Sequence, residues 1–224
     1  MCVSKGGQGA PDSVVDKARA LALVSVSRET EARLDIFVDR LVHWQSKLNL
    51  VAPSTLRDLW TRHLADSLQL LPLAPQARVW ADFGSGGGFP GVPIACALAE
   101  QAGARVHLIE SNGKKAAFLR EVVRAAVLPA VVHQERIEKF GESCAEAVQV
   151  VTARALAPLK TLCAQAFPFV AAGAMGLFLK GQDVEAELTD AAKYWRLDAS
   201  RVPSKTDPGG SIVVIRSLES LRES

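Results

Sequence analysis

A short segment of the chain combines an acidic residue with alternating glycines: Asp82 is followed by Gly84, Gly86 and Gly88. Glycine adopts backbone conformations with positive φ and has no Cβ, so a flat or bulky ligand can lie directly against the peptide. Alternating glycines at these positions exceed what a tight turn needs. The segment therefore predicts a ligand-binding loop.

The charges around this loop favour one class of ligand. The run Gly86-x-Gly88-x-x-Gly91, with Glu110 further on, also fits the fingerprint of a dinucleotide-binding enzyme, so a nicotinamide-dependent oxidoreductase is an alternative. Asp82, however, would repel a pyrophosphate, whereas it suits the ammonium group of S-adenosylmethionine, which carries no phosphate. Glu110 can accept hydrogen bonds from both ribose hydroxyls. We therefore predict an S-adenosylmethionine site.

The bulk properties of the chain exclude several functional classes. The 224 residues carry a formal net charge of +2, so an RNA partner would have to be met by a local basic patch. The sequence has no apolar run near the ~20 residues that a membrane span needs, and we expect a cytoplasmic protein without a membrane partner. Its scattered cysteines and histidines favour neither a disulfide framework nor a metal site.

Hydrophobic periodicity predicts helices in the first third of the chain and alternating strands and helices after it. The expected helices cover 14–26, 31–51, 56–71, 92–101, 114–126, 159–170 and 183–195. The expected strands cover 79–83, 106–110, 131–132, 148–152, 175–179 and 211–216. Ser54 or Thr55 is a candidate cap for the third helix, and Pro72 is expected to end it.

This alternation predicts a doubly wound, mostly parallel α/β sheet with helices on both faces. In such a sheet ligands bind at the carboxyl ends of the strands, and the glycine loop follows the first of them. We expect a flexible tail at residues 1–12, a helical extension at 13–75 and the cofactor-binding core at 76–224.

Motifs spread along the chain resemble those of a known family, the bacterial 16S ribosomal RNA guanine-N7 methyltransferases. The specific elements are Arg62-His63-x-x-Asp66-Ser67 and Gly88-Phe89-Pro90-Gly91. The supporting elements are Leu48-Asn49-Leu50, Glu110-Ser111-x-Gly113-Lys114-Lys115, Phe118-Leu119, Arg136-x-Glu138, Ala153-Arg154-Ala155 and Leu179-Lys180-Gly181. The resemblance runs from about Leu34 to Arg216 and does not cover the N-terminal tail.

The resemblance implies the seven-stranded sheet of S-adenosylmethionine methyltransferases with an N-terminal helical extension. It also implies methyl transfer to N7 of a guanine in 16S rRNA, with S-adenosylhomocysteine as product. The cofactor contacts expected from the resemblance and the glycine loop are Asp82, Gly84, Gly86, Gly88, Phe89, Glu110, Ser111, Ile137, Glu138 and Arg154. The residues expected to contact RNA are Arg62, Lys114, Lys115, Arg136 and Lys180.

Guanine N7 has a lone pair and no proton, so its methylation requires no general base. We expect catalysis by orientation of the reactants, with Arg62, His63, Arg154 and Lys180 as the residues that do this work. Two structural alternatives remain open: Arg62 could form a surface ion pair with Asp66, and His63 could be a hydrogen-bonded, half-buried residue. A methyltransferase acting on tRNA, protein or a small molecule is the alternative function. We expect a monomer that binds 16S rRNA or the small ribosomal subunit.

Overall fold

The computed structural model describes residues 10–144 and 147–221, with side chains from residue 13. The tail expected at residues 1–12 lies outside the described residues except for its last three positions, where the first helix begins. The helices are α1 (Ala10–Leu23), α2 (Arg28–Gln45), α3 (Asp66–Leu68), α4 (Gly91–Leu98), α5 (Gly113–Ala125), α6 (Ile137–Ser143), α7 (Leu159–Ala171) and α8 (Val184–Ala191). The strands are β1 (Val79–Phe83), β2 (Arg105–Ile109), β3 (Ala130–His133), β4 (Val150–Arg154), β5 (Met175–Lys180), β6 (Trp195–Pro203) and β7 (Ser211–Ser220).

The strands form one seven-stranded sheet in the order β3-β2-β1-β4-β5-β7-β6. Strands β1 to β5 are parallel, and β7 is antiparallel to both of its neighbours. The order reverses between β1 and β4, where the crossover helices leave on opposite faces and a crevice opens. The expected fold class is confirmed.

Hydrophobic side chains on the two faces of the sheet form two clusters. Trp80 points into the cluster that holds α2, α4 and α5, and Phe83 points into the cluster that holds α7. The cluster of Trp80 also contains residues of the N-terminal helices, including Phe37 and Leu64. The N-terminal helices therefore share a core with the sheet, and the boundary expected between residues 75 and 76 stays a prediction.

The single helix expected at 56–71 is wrong. The chain forms a 3-10 helix at Pro53–Asp58, a π-helical turn at Trp60–Ala65, the short α3, and a second 3-10 turn at Leu71–Leu73. The expected cap is also absent: the hydroxyl of Thr55 donates to the carbonyl of Ala52, and no side chain caps Pro53–Asp58. Contacts from distant residues, described below, hold this irregular segment.

The C-terminal third differs from expectation at one strand. The helix expected to reach Trp195 ends at Ala191, and Trp195–Pro203 forms β6 at the edge of the sheet. Alternate positions of β6 are half-buried and exposed, which is the period of a strand with one covered face. Helix α6 was also not expected; it begins at Ile137, directly after Arg136.

None of the helices in the described part of the chain combines the length and the apolar character needed to cross a bilayer.

Candidate active site

Two adjoining cavities open at the carboxyl edge of the sheet. The larger has a volume of about 610 Å³ and the smaller of about 290 Å³. Both are lined by Gly84, Gly86, Lys115, Arg154 and Ala155. The loop after β1, the first turn of α5 and the end of β4 thus form a wall between the two cavities.

The glycine loop brings bare backbone to both cavities. Gly84 and Gly86 have φ values of +65° and +53°, a conformation that favours glycine. A Cβ on Gly86 would find nothing nearer than the carbonyl of Gly84 at 3.5 Å, so open space lies over this residue. The expected role of Gly86 in ligand binding fits this geometry. Gly84 also lines both cavities, but a Cβ on it would lie 2.5 Å from the side chain of Leu156, so this glycine makes room for Leu156.

Gly88 has a different surrounding. A Cβ there would lie 2.9 Å from Val92 and 3.0 Å from the ring of Phe37, and the residue lines neither cavity. Gly88 therefore allows helix α2 to pack closely against the loop, and a direct ligand contact is not supported.

Asp82 also lies away from the cavities. Its carboxylate is fully buried, accepts a hydrogen bond from the amide of Gly91 at 3.1 Å, and accepts another from the hydroxyl of Thr152 at 3.2 Å. Burial raises the pKa of Asp82 to about 7, although these hydrogen bonds oppose the shift. The expected contact with an ammonium group is therefore corrected: Asp82 fixes the glycine loop between β1, β4 and α4.

Glu110, directly after β2, reaches the smaller cavity. Its side chain accepts hydrogen bonds from the amide of Gly86 at 2.9 Å and the amide of Asn112 at 2.6 Å. A carboxylate has about four acceptor positions, so two remain for the hydroxyls of a ribose. This cavity is also lined by three other expected cofactor contacts, Ser111, Ile137 and Glu138. Arg136, which was expected to contact RNA, lines this smaller cavity and not the larger one. Glu138 accepts a hydrogen bond from Gln165, a residue that the sequence did not single out.

Arg154, at the end of β4, stands between the cavities. Its guanidinium lies 4.9 Å from the ring centre of Phe89, donates to the carbonyl of Arg62 at 3.2 Å, and is 3.7 Å from the carboxylate of Asp66. Burial lowers the pKa of Arg154, and the charges of Asp66 and Asp82 counteract this effect. Arg154 is thereby held as a cation against an aromatic wall.

The π-helical turn supplies the opposite side of the larger cavity. The ring of His63 lies 5.0 Å from that of Phe89, and its Nε2 is 2.8 Å from the hydroxyl of Thr55. Burial, together with the charges of Arg154 and Arg62, lowers the pKa of His63 to about 3. His63 is therefore a neutral, hydrogen-bonded residue, as its structural alternative expected, and it also lines the larger cavity. Its expected role towards the substrate stays a prediction.

The surface ion pair with Asp66 that was the structural alternative for Arg62 does not form. Arg62 lies 3.5 Å from Asp207, whereas Asp66 pairs with Arg154 and accepts a hydrogen bond from Thr206 at 2.6 Å. The loop between β6 and β7 thus becomes a wall of the larger cavity. In the sequence, the residues Asp207-Pro208-Gly209-Gly210 indicate a turn in this loop. No pattern in the sequence indicated that the loop lies at the site.

Lys180 lines the larger cavity, but its ammonium group is already engaged. It donates to the carbonyl of Ala157 at 2.9 Å and is 2.6 Å from Glu187, which also accepts from the amide of Leu159. The side chain is 10 % exposed. The geometry therefore favours a role in holding the loop after β4 over direct contact with RNA.

The remaining expected cations differ in position. Lys115 lines both cavities, whereas Lys114 is exposed and lines neither. Asn112 caps their helix by accepting hydrogen bonds from both of their amides. Within the described residues, no group of three histidine, cysteine or acidic side chains is arranged to hold a metal ion.

Comparison with known proteins adds independent information. A family model described as rRNA small subunit methyltransferase G matches residues 30–217. The chain is 59% identical over 209 residues to "Ribosomal RNA small subunit methyltransferase G" of Nitrobacter hamburgensis, which covers 93% of this chain and 80% of that protein. The protein of the same name from Bradyrhizobium sp. (strain BTAi1) is 59% identical over 204 residues, covering 91% of this chain and 92% of that protein.

A solved structure of lower identity supports the fold. The O-methyltransferase from Bacillus cereus in complex with SAH aligns with a TM-score of 0.58 and 14% identity, covering 91% of this chain and 97% of that chain. At this identity the likeness concerns the fold alone, which is that of a methyltransferase.

Proposed function

The chain belongs to the rRNA small subunit methyltransferase G family, and from this premise we propose that it transfers a methyl group from S-adenosylmethionine to N7 of a guanine in 16S rRNA. It is an S-adenosylmethionine-dependent methyltransferase of small-subunit ribosomal RNA. Family membership sets aside the alternative of a nicotinamide-dependent oxidoreductase. Four parts of this function are our proposal: the atom that is methylated, the residues that hold each reactant, the monomeric state and the cytoplasmic location.

The observation that carries this proposal is the pair of cavities that meet at Gly84, Gly86 and Arg154. The smaller cavity offers a carboxylate at Glu110 for ribose hydroxyls and an apolar side chain at Ile137 for a purine face. The open space above Gly86 gives room for the rest of the cofactor. The larger cavity is lined by aromatic, neutral and cationic side chains, which suit a base and its phosphates. It also contains three acidic side chains, and each of them is paired with a cation of the chain: Asp66 with Arg154, Asp207 with Arg62 and Glu187 with Lys180.

When S-adenosylmethionine is bound, it supplies a methyl group on a positively charged sulfur. The lone pair of N7 can bond to this methyl carbon as the bond from carbon to sulfur breaks. The residues of this chain then have to orient the base and exclude water. Phe89 was expected to contact the cofactor, but it lines only the larger cavity, where its ring lies against Arg154 and His63 and can form part of a wall for the guanine ring. Arg62 can donate to guanine O6 or to a phosphate, since a donor bonded to N7 itself would block the reaction.

No proton has to be removed from N7, and the neutral state of His63 agrees with this chemistry. A histidine whose pKa is about 3 is a poor base at neutral pH. The alternative substrates, tRNA, protein or a small molecule, have no observation in this site that favours them.

The test is to map 7-methylguanosine in 16S rRNA from cells that lack this protein. We expect one modified guanine to be lost, to return with the wild-type protein, and to remain absent with Gly86→Val, which fills the space above the loop. An unchanged modification pattern in the deletion strain would contradict the proposal. Parallel assays on naked 16S rRNA and on assembled small subunits, across a salt series, identify the form of the substrate.

A further inference from the structure

Asp16, on helix α1, is an acidic residue whose side chain is only 4 % exposed. Its Oδ2 accepts hydrogen bonds from the backbone amides of Trp60 at 2.7 Å and Thr61 at 3.4 Å. Its Oδ1 accepts from the hydroxyl of Thr61 at 2.6 Å and from the guanidinium of Arg19 at 2.8 Å. One carboxylate therefore satisfies three donors of the π-helical turn from a helix far away in the sequence.

The turn at Trp60–Ala65 has no side-chain cap of its own, since Leu59 precedes it. The first amides of any helix lack acceptors within the helix, and an anion near them is favourable. Asp16 supplies this acceptor and fixes the point at which the irregular segment changes from 3-10 to π geometry.

The residues that follow this anchor belong to the larger cavity. The carbonyl of Arg62 accepts a hydrogen bond from Arg154, the ring of His63 packs on Phe89, and Asp66 pairs with Arg154. Arg62, His63 and Asp66 all line that cavity, and no residue of this turn lines the smaller one. A displacement of Trp60 and Thr61 would therefore act directly on the side that faces the base. It would reach the smaller cavity through Arg154, which lines both cavities, so its effect there should be weaker.

We infer that Asp16 is a positioning residue for the base-facing cavity, acting through the amides of Trp60 and Thr61 on Arg62 and His63. Helix α1 precedes residue 30, where the family match begins, so this helix would be a working part of the enzyme in addition to a support for the fold. The inference rests on the proposed function, because it takes the larger cavity as the place of the target base.

The test compares Asp16→Asn with Val15→Gly, an exposed position on the same helix where the change weakens the helix without touching the turn. Methyl transfer to small subunits gives kcat and KM, and calorimetry with S-adenosylhomocysteine gives the affinity of the cofactor site. We expect Asp16→Asn to lower kcat/KM for the ribosomal substrate about tenfold or more and to change the cofactor affinity by much less. Val15→Gly should retain both.

Two results would overturn the inference: full activity of Asp16→Asn, or a loss of cofactor affinity as large as its loss of activity. If Asp16→Asn does not fold, Thr61→Val replaces it, since this change removes one donor to Asp16 and leaves both amide contacts. Thr61→Val should lower kcat/KM for the ribosomal substrate more than it lowers the affinity for S-adenosylhomocysteine, by a smaller factor than Asp16→Asn. An equal loss of kcat/KM and of cofactor affinity overturns the inference.

Hydrogen–deuterium exchange separates this inference from the proposed function. Asp16→Asn should speed exchange at residues 60–66 and leave exchange at residues 105–113 unchanged. Unchanged exchange at 60–66 would overturn the inference even if the wild-type protein methylates rRNA. A wild-type protein that fails to methylate rRNA would instead contradict the proposed function, while the exchange result still reports on the anchor.

Discussion

Replacement of Gly86 by alanine tests whether the open backbone of the glycine loop is the place where the cofactor binds. The chain offers a matched control in Gly103, an exposed turn residue between α4 and β2. Both residues have positive φ, +53° at Gly86 and +76° at Gly103. A Cβ on Gly103 would find no atom within 4 Å, and Gly103 lines neither cavity.

Both substitutions should lower stability by a similar amount. An alanine forced into the left-handed conformation costs about 1–2 kcal/mol. For a domain of this size, each kcal/mol shifts Tm by about 2–4 °C, so either variant should melt about 2–8 °C below the wild type.

The two variants should differ in cofactor binding. The methyl group on Gly86 would occupy the space shared by both cavities, and we expect the Kd for S-adenosylhomocysteine to rise at least about tenfold, a loss of about 1.4 kcal/mol. Gly103→Ala should bind with wild-type affinity.

Differential scanning fluorimetry gives the Tm of each variant, and calorimetry with S-adenosylhomocysteine gives its Kd. Wild-type affinity in Gly86→Ala would refute the assignment of the loop to the cofactor. Equal losses of affinity in both variants would show that strain, and not occupied space, causes the effect.

Three further predictions concern the larger cavity. Because burial and two arginines lower the pKa of His63 to about 3, the unfolded state binds a proton below about pH 6.5 that the folded state does not bind. The free energy of unfolding should therefore fall as the pH is lowered from about 6.5 towards 3, and His63→Phe should reduce this slope in urea titrations. An unchanged slope would contradict the assignment. Lys180→Met should lower the free energy of unfolding by about 2 kcal/mol, because it leaves Glu187 without its cation. The double variant Lys180→Met with Glu187→Leu should recover part of this loss. A double variant less stable than the single one would refute the pairing. Thr206→Val removes a hydrogen-bond donor to Asp66 and should lower the free energy of unfolding by about 1–2 kcal/mol, while raising KM for the ribosomal substrate. A KM at the wild-type value would argue against the loop between β6 and β7 as a wall of the site.

The order and type of most core elements could be predicted from the sequence, because short apolar runs separated by turn residues carry a local signal. Strand β1 was expected at 79–83 and is found at Val79–Phe83. Strand β6 was missed although its alternating pattern is present. The polar residues after Asp183 also fit a helix, and the end of that helix at Ala191 has no glycine or proline to mark it.

The irregular segment that follows Pro53 was not predictable from local pattern. Its apolar residues repeat at helical spacing, and a single α-helix is the simplest structure for that pattern. The π-helical turn is bonded at its start to Asp16, which belongs to another helix. Directly after the turn, Asp66 binds the loop between β6 and β7. Long-range hydrogen bonds of this kind leave no periodicity in the sequence.

The same limit applies to the site. Spacing placed Glu110 and Arg154 at strand ends, and the parallel sheet brings these ends to one edge, so their neighbourhood could be expected. Spacing could not show that Asp82 and Lys180 find partners within the protein. Whether a charged side chain faces a ligand or pairs with another part of the protein depends on its burial. The sequence indicates burial only indirectly.

The wall that the two cavities share has a consequence for inhibitor design. Gly84, Gly86 and Arg154 border both spaces, so a single molecule could occupy the side proposed for the ribose and the side proposed for the base at once. A compound that joins an adenosine to a purine through a short chain would cross above Gly86, where no side chain stands in the way. Once one half of such a tethered ligand is bound, the other half binds at a high effective concentration. The selectivity of the compound would come from contacts of its purine half with Arg62, His63 and Asp66, and not from contacts of its adenosine half.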